Sequence, residues 1–142
     1  KTKKVLNNNK SSKFFLNLLN SVIIKTDYTG PRVKIEGYQI GGKTGTSELI
    51  NPKGGYFKDR NLTSFISVFP INDPEYVIYT AIEYPKKKKG TNQKMTGARV
   101  NAPLVREIIL NIINLYNIPK NNKEDYLKAD TNFLYKILNA VI

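Results

Sequence analysis

Phe14, Phe15, Leu18, Leu19, Val22 and Ile23 recur at the i, i+1, i+4, i+5 spacing of an amphipathic helix, and Ser11-Ser12 ahead of them are helix-capping residue types. Such a helix needs a partner surface. Residues 25–36 carry Asp27, Gly30 and Pro31 and read as a loop leading to Tyr38-Gln39-Ile40-Gly41-Gly42 and then to Lys43-Thr44-Gly45-Thr46-Ser47, read as a strand. Asn51-Pro52-Lys53-Gly54-Gly55 predicts a turn. Residues 62–69 and 76–83, rich in β-branched and aromatic side chains, flank Pro70-Ile71-Asn72-Asp73-Pro74 and predict a strand, a turn and a strand. Three consecutive strands suggest an antiparallel meander.

A polar, basic loop over residues 84–97 follows, and Asn101-Ala102-Pro103 opens a helix with Leu104, Val105, Ile108, Ile109, Ile112 and Ile113 on one face, ending before Pro119. After a polar linker over 120–130, Leu134, Ile137, Leu138 and Val141 predict a short last helix. The fold class is α/β or α+β, an antiparallel strand meander packed by flanking helices. Three strands and these helices do not by themselves close a two-sided core, so the expectation is an incomplete piece of a larger domain.

A chain of 142 residues fits one ordinary domain, and no apolar run approaches the roughly 20 residues a bilayer-spanning helix needs. With no Cys and no His, any chemistry here falls to Ser, Thr, Lys, Tyr, Asp or Glu. The formal charge of +12 permits attraction to nucleic acid, anionic lipid or another acidic polymer without choosing among them. The Lys86-Lys87-Lys88-Lys89 run reads as a solvated loop rather than a phosphate or lipid patch, and Tyr84 and Met95 in that loop read as surface packing ahead of the alternative that they line a cleft. A noncatalytic basic binding module for nucleic acid or anionic lipid is the rival reading. It would interleave aromatics with Lys on one face, whereas Tyr56, Phe65, Tyr76 and Tyr79 sit in strand patterns that ask for a core.

Residues 37–44, Gly37-Tyr38-Gln39-Ile40-Gly41-Gly42-Lys43-Thr44, fit the letter of the phosphate-cradling pattern G-x-x-x-x-G-K-S/T. The context rejects that reading. A phosphate loop needs a helix starting at the Lys-Thr, and Gly45, Pro52, Gly54 and Gly55 crowd the next dozen residues. Read as a strand, Lys43-Thr44-Gly45-Thr46 matches the third signature of penicillin-binding serine acyl-transferases.

The flanks strengthen that match. Val22-Ile23, Thr29-Gly30, the run from Gly37 to Glu48, Thr63-Ser64-Phe65-Ile66-Ser67-Val68-Phe69-Pro70, Asp73-Pro74-Glu75-Tyr76 and Gly97-Ala98-Arg99-Val100-Asn101-Ala102-Pro103-Leu104-Val105 together resemble class B penicillin-binding proteins, most closely the division-type transpeptidase. Tyr28 stands where the family usually has the first Gly of Gly-Thr-Gly, and Ser67 replaces a common Gly. Neither S-x-x-K nor S-x-N occurs in the chain. Residues 1–118 are therefore expected to be the C-terminal part of a penicillin-binding transpeptidase domain without its nucleophile region, inactive alone, and 119–142 a polar linker and short helix. The opening Lys1-Thr2-Lys3-Lys4 likewise reads as the interior of a longer product.

A donor stem peptide ends in D-Ala-D-Ala, an amide beside a free carboxylate. Its transfer requires an activated Ser, donors for the oxyanion, and a cation with hydroxyls for the carboxylate. Alternation places Thr44 and Thr46 on one side of the strand, where both hydroxyls can face one carboxylate, while Gly45 lets substrate backbone approach. The resemblance implies that the Thr46 N–H serves the oxyanion hole and that Lys43 supplies positive potential and holds the Ser of the second signature. Strict alternation puts Lys43 on the opposite side, so its stem or the strand twist has to bring the ammonium round. The resemblance further implies peptidoglycan D,D-transpeptidation by a serine acyl-enzyme, β-lactam binding and no cofactor or metal. It also implies a glycan-polymerising membrane partner, no nucleic acid, and a place on the outer face of the cytoplasmic membrane with the anchor elsewhere.

Overall fold

The computed structural model describes residues 9–87, 90 and 93–121. Six elements follow one another: α1 (Asn9–Lys25), α2 (Gly30–Val33), β1 (Gly41–Ile50), β2 (Tyr56–Phe69), β3 (Tyr76–Glu83) and α3 (Gly97–Tyr116). The expected last helix over 134–141 lies outside the described residues. The three strands form an antiparallel sheet in the order β1-β2-β3, the meander read from the alternation. The first turn is built as its glycines predict. Gly54 and Gly55 adopt φ of 104° and 71°, and the Asn51 N–H donates to the Gly55 carbonyl at 2.9 Å.

Register sorts the side chains onto two faces. Thr44 pairs with Phe65 and Thr46 with Thr63, and Phe65 lies opposite Thr80 in β3. Phe65, Thr63 and Ser67 are fully buried, so this face is the one α3 covers. On the other face Lys43 pairs with Ile66, and Ile66 with Tyr79. Tyr79 and Tyr56 are each 63% exposed, which corrects the expectation that both serve a core; Phe65 does, because it alone of the three points under α3.

Phe65, Phe69, Val105 and Ile109 form the centre of the core, each with no exposed surface, and burial of such a side chain is worth roughly 1.5–3 kcal/mol. Two polar pairs bond across elements inside this core, while Asn101 Oδ1 and Thr96 Oγ1 are buried with no hydrogen-bond partner among the described residues. The Ser67 hydroxyl donates to the Gly41 carbonyl at 3.0 Å, and Asn101 Nδ2 of α3 donates to Thr80 Oγ1 of β3 at 3.1 Å.

Element boundaries differ from the sequence reading in four places. A short helix, α2, sits inside the expected loop over 25–36, with Pro31 in its first turn, where a missing N–H costs nothing. The first helix starts at Asn9, so Ser11 and Ser12 lie within it rather than capping it. Its Phe14 and Phe15 remain more than half exposed, while Ile23 near its end is buried against the core. The second strand begins at Tyr56 rather than 62.

The fourth difference is α3, which begins at Gly97 with Pro103 inside it. Its buried line runs through Ala98, Asn101, Ala102, Val105, Ile109 and Ile113, and Leu104 is 40% exposed. Small residues in the first two turns let the helix lie close on the sheet. Its end is a left-handed Asn117, with the N–H groups of Asn117 and Ile118 both donating to the Ile113 carbonyl. Among the described residues no helix is long and apolar enough to cross a membrane.

Candidate functional site

The Lys43-Thr44-Gly45-Thr46 segment lies within β1, which is an edge strand of the described sheet and continues to Ile50. No helix starts at Lys43-Thr44, so the geometry of a phosphate loop is missing. Thr44 and Thr46 share the face turned to α3, as alternation requires. The Thr46 hydroxyl accepts a hydrogen bond from the Gly97 N–H, the first residue of α3, at 3.1 Å. The hydroxyl proton then stays free to be donated, and its direction is restricted because one lone pair is engaged.

Lys43 lies on the opposite face, level with the exposed Ile66. Its four-carbon stem curls so that Nζ donates to the Thr44 carbonyl at 2.9 Å. The ammonium is thereby carried along the strand to the residue whose side chain faces the other way. Gly45 has a local role that the sequence did not disclose: a Cβ there would stand 2.5 Å from Ser64 Oγ on β2. The missing side chain makes room for the neighbouring strand.

Gly97 sets how close α3 can come. A Cβ on it would lie 2.3 Å from the Ser64 carbonyl oxygen and 2.6 Å from that of Gly45, both rigid backbone atoms. With hydrogen there instead, the helix N-terminus rests on the sheet with its amides beside Thr46. An N-terminus of a 20-residue helix carries a partial positive charge, so the surroundings of Thr44 and Thr46 favour an anion from this side as well as from Lys43.

Beside this N-terminus is a cluster that sequence reasoning missed. Arg99 Nε donates to the Tyr28 hydroxyl at 2.9 Å, and the Arg32 guanidinium stands 4.2 Å from the Tyr28 ring centroid. The hydrogen bond from Arg99 is the main cause holding the Tyr28 phenol below its ordinary value of 10.0. Tyr28 fills a position expected to be glycine, and the structure shows it as a tether between the α1–α2 connection and α3.

Tyr84 and Met95 line a cleft, the alternative that the sequence reading placed behind surface packing. With Glu48, Asn61, Pro85 and the side chains of Lys58, Lys86, Lys87 and Lys94 they enclose about 450 Å³ at the far end of β1 from Gly41. Lys86 and Lys87, read from sequence as a solvated loop, thus share a concavity with two lysines from other segments.

The penicillin binding protein transpeptidase domain model matches residues 1–110. A peptidoglycan D,D-transpeptidase FtsI homolog from Chlorokybus atmophyticus is 40% identical over 105 residues, which is 74% of this chain and 14% of that protein. Stage V sporulation protein D of Bacillus subtilis is 37% identical over 107 residues, covering 75% of this chain and 15% of its own length. Among solved structures, penicillin binding protein 3 from Mycobacterium tuberculosis, complexed with ampicillin, superposes with a TM-score of 0.67 at 28% identity over 80% of this chain and 26% of that one. The chain spans about one seventh of the length of the curated relatives it matches. With the family model matched over more than three quarters of its residues, this chain belongs to the penicillin binding protein transpeptidase domain family.

Proposed function

We propose that the protein carrying this chain is a division-type peptidoglycan D,D-transpeptidase that cross-links stem peptides through a serine acyl-enzyme and is acylated by β-lactams. In this reading residues 1–118 form the C-terminal part of its transpeptidase domain and supply the substrate-binding strand. The nucleophile and the second signature belong to a portion of the protein beyond this chain, since neither S-x-x-K nor S-x-N occurs within it. The protein works on the outer face of the cytoplasmic membrane beside a glycan-polymerising membrane enzyme.

The observation that carries the proposal is the arrangement at Thr46. An edge strand offers a free rim to an extended peptide, the Thr46 hydroxyl is oriented by Gly97, and Lys43 and the α3 N-terminus add positive potential. A terminal carboxylate is received by Thr44, Thr46 and Lys43. The adjacent carbonyl takes the Thr46 N–H as one oxyanion donor, and these charge-directed bonds strengthen as the tetrahedral intermediate forms.

Labelling of the full-length protein with a fluorescent penicillin tests the reading. Wild type is expected to retain covalent label after denaturation, and Lys43→Met to lose it by about a hundredfold or more, the size of effect seen when one preorganised electrostatic group is removed. A full-length protein that saturating penicillin leaves unlabelled, or equal labelling of the two forms, refutes the assignment.

A further inference from the structure

We propose that Tyr28 and Arg99 are positioning residues for Thr46: they hold the start of α3 so that the Gly97 N–H keeps the Thr46 hydroxyl aimed at a ligand carboxylate. Their action runs through Gly97 and rests on the role proposed for Thr46. The start of α3 has little support of its own. Its N-cap Thr96 makes no side-chain cap bond, its first turn holds no acid, and its first residue is glycine. Arg99, in the same turn, puts a cation at the positive end of the helix dipole, which disfavours the helix. Two tertiary bonds stand in for the missing caps. The Gly97 N–H donates to the Thr46 hydroxyl at 3.1 Å, and Arg99 Nε donates to the Tyr28 hydroxyl at 2.9 Å. Both donors belong to one turn, so a shift of the helix start that breaks the bond to Tyr28 also moves the Gly97 N–H away from Thr46.

Tyr28 is a firm post for this bond because the backbone around it is tied to α1 and α2. The Thr26 hydroxyl donates to the Val22 carbonyl of α1 at 2.6 Å, and the Gly30 N–H donates to the Thr26 carbonyl at 3.1 Å. A Cβ on Gly30 would lie 2.2 Å from the Ile23 carbonyl oxygen, so the connection is pressed against the end of α1. On the other side Arg32 of α2 donates to the Tyr28 carbonyl, and its guanidinium stands 4.2 Å from the Tyr28 ring centroid. Among the described residues Arg99 meets no carboxylate; its acceptors are the Tyr28 hydroxyl and Gln93 Oε1. A glycine at position 28 could not supply the first of these.

The test measures acylation of the full-length protein by penicillin and by the same penicillin with its carboxylate converted to a neutral amide. Tyr28→Phe keeps the ring against Arg32 and deletes the hydroxyl, and Arg99→Met keeps the stem and deletes the donor. Each should slow acylation by penicillin about three- to tenfold while the amide reacts within about twofold of its wild-type rate. The double variant should lose no more than either single one, because the pair acts as a unit. In a Thr46→Val background Tyr28→Phe should cost less than about twofold, since the hydroxyl to be positioned is gone. Equal slowing of both ligands, or a Tyr28→Phe cost that persists in the Thr46→Val background, would mean a general structural role and overturns the positioning role. A wild type that penicillin labels and that is indifferent to Tyr28→Phe overturns the positioning role alone. A wild type that saturating penicillin leaves unlabelled overturns the transpeptidase reading, and the positioning role with it.

Discussion

The Gly97 N–H donates to the Thr46 hydroxyl across 51 residues of sequence, at 3.1 Å, and so joins the first residue of α3 to the strand that carries Lys43-Thr44-Gly45-Thr46. The bond lets one residue serve two ends. Its hydroxyl is held by the helix, while its backbone N–H does not depend on the side chain. Thr46→Val keeps the strand shape and the N–H and removes the hydroxyl. In the full-length protein we expect penicillin acylation to fall ten- to a hundredfold, from loss of a charge-assisted contact worth roughly 1.5–3 kcal/mol. A penicillin whose carboxylate is converted to an amide should react poorly with wild type and lose little more with the variant. If Thr46→Val slows both ligands by one factor, the hydroxyl serves the strand or the oxyanion instead.

Gly97→Ala forces a methyl group toward the carbonyls of Ser64 and Gly45, where backbone cannot yield as a side chain can. We expect a loss of about 1–3 kcal/mol in urea unfolding, the ordinary cost of overpacking. Acylation should weaken in parallel, because lifting α3 also breaks the Thr46 bond. Unchanged stability would mean that the helix start shifts freely.

Tyr28 should ionise at lower pH than an unperturbed tyrosine, because Arg99 donates to its phenol oxygen and favours the charged form. An ultraviolet difference titration of wild type against Tyr28→Phe isolates the group, and Arg99→Met should move it up toward 10.0. The sign for stability follows from a depressed folded value. The contribution is fully present above the unfolded value and is lost as pH falls through the folded one, so it is confined to alkaline pH. Titration of Tyr28 at or above 10.0 in wild type would refute the tether as drawn.

Asn101 and Thr80 form a buried pair, Asn101 with no exposed surface and Thr80 with 9%. Asn101→Ala leaves the Thr80 hydroxyl buried without its donor and should cost about 1–3 kcal/mol. Changing both, Thr80→Val with Asn101→Leu, should cost less than the sum of the single changes by a margin that denaturant unfolding resolves. Additive costs would show that the two groups act independently.

The strand order and the position of Lys43-Thr44-Gly45-Thr46 were legible in the residues themselves. Alternation gives a strand its two faces, Gly54 and Gly55 supply the left-handed turn, and the stretch from Pro70 to Pro74 ends one strand before the next begins. Those are local properties, fixed by a residue and its near neighbours. The start of α3 was not legible, since glycine at a helix start reads as a breaker. Gly97 is suited to its place only by the nearness of two carbonyls in β1 and β2. Tyr79 and Phe65 likewise satisfy the same strand pattern, and only the side of the sheet chosen by α3 exposes one and buries the other.

The candidate site divides in the same way. Sequence determined which residue types stand on the edge strand and that Lys43 points away from the threonines, because strand periodicity is set by backbone geometry. Only the tertiary structure decided that the Lys43 stem returns to the Thr44 carbonyl, that Gly97 orients Thr46, that Tyr28 meets Arg99, and that Lys58 and Lys94 join Lys86 and Lys87 around one cavity. Each of the contacts at Thr46 and Tyr28, and the cavity itself, brings together groups far apart in the chain. Their approach is set by how α3 and the segment before it pack on the sheet, and no local pattern encodes that distance.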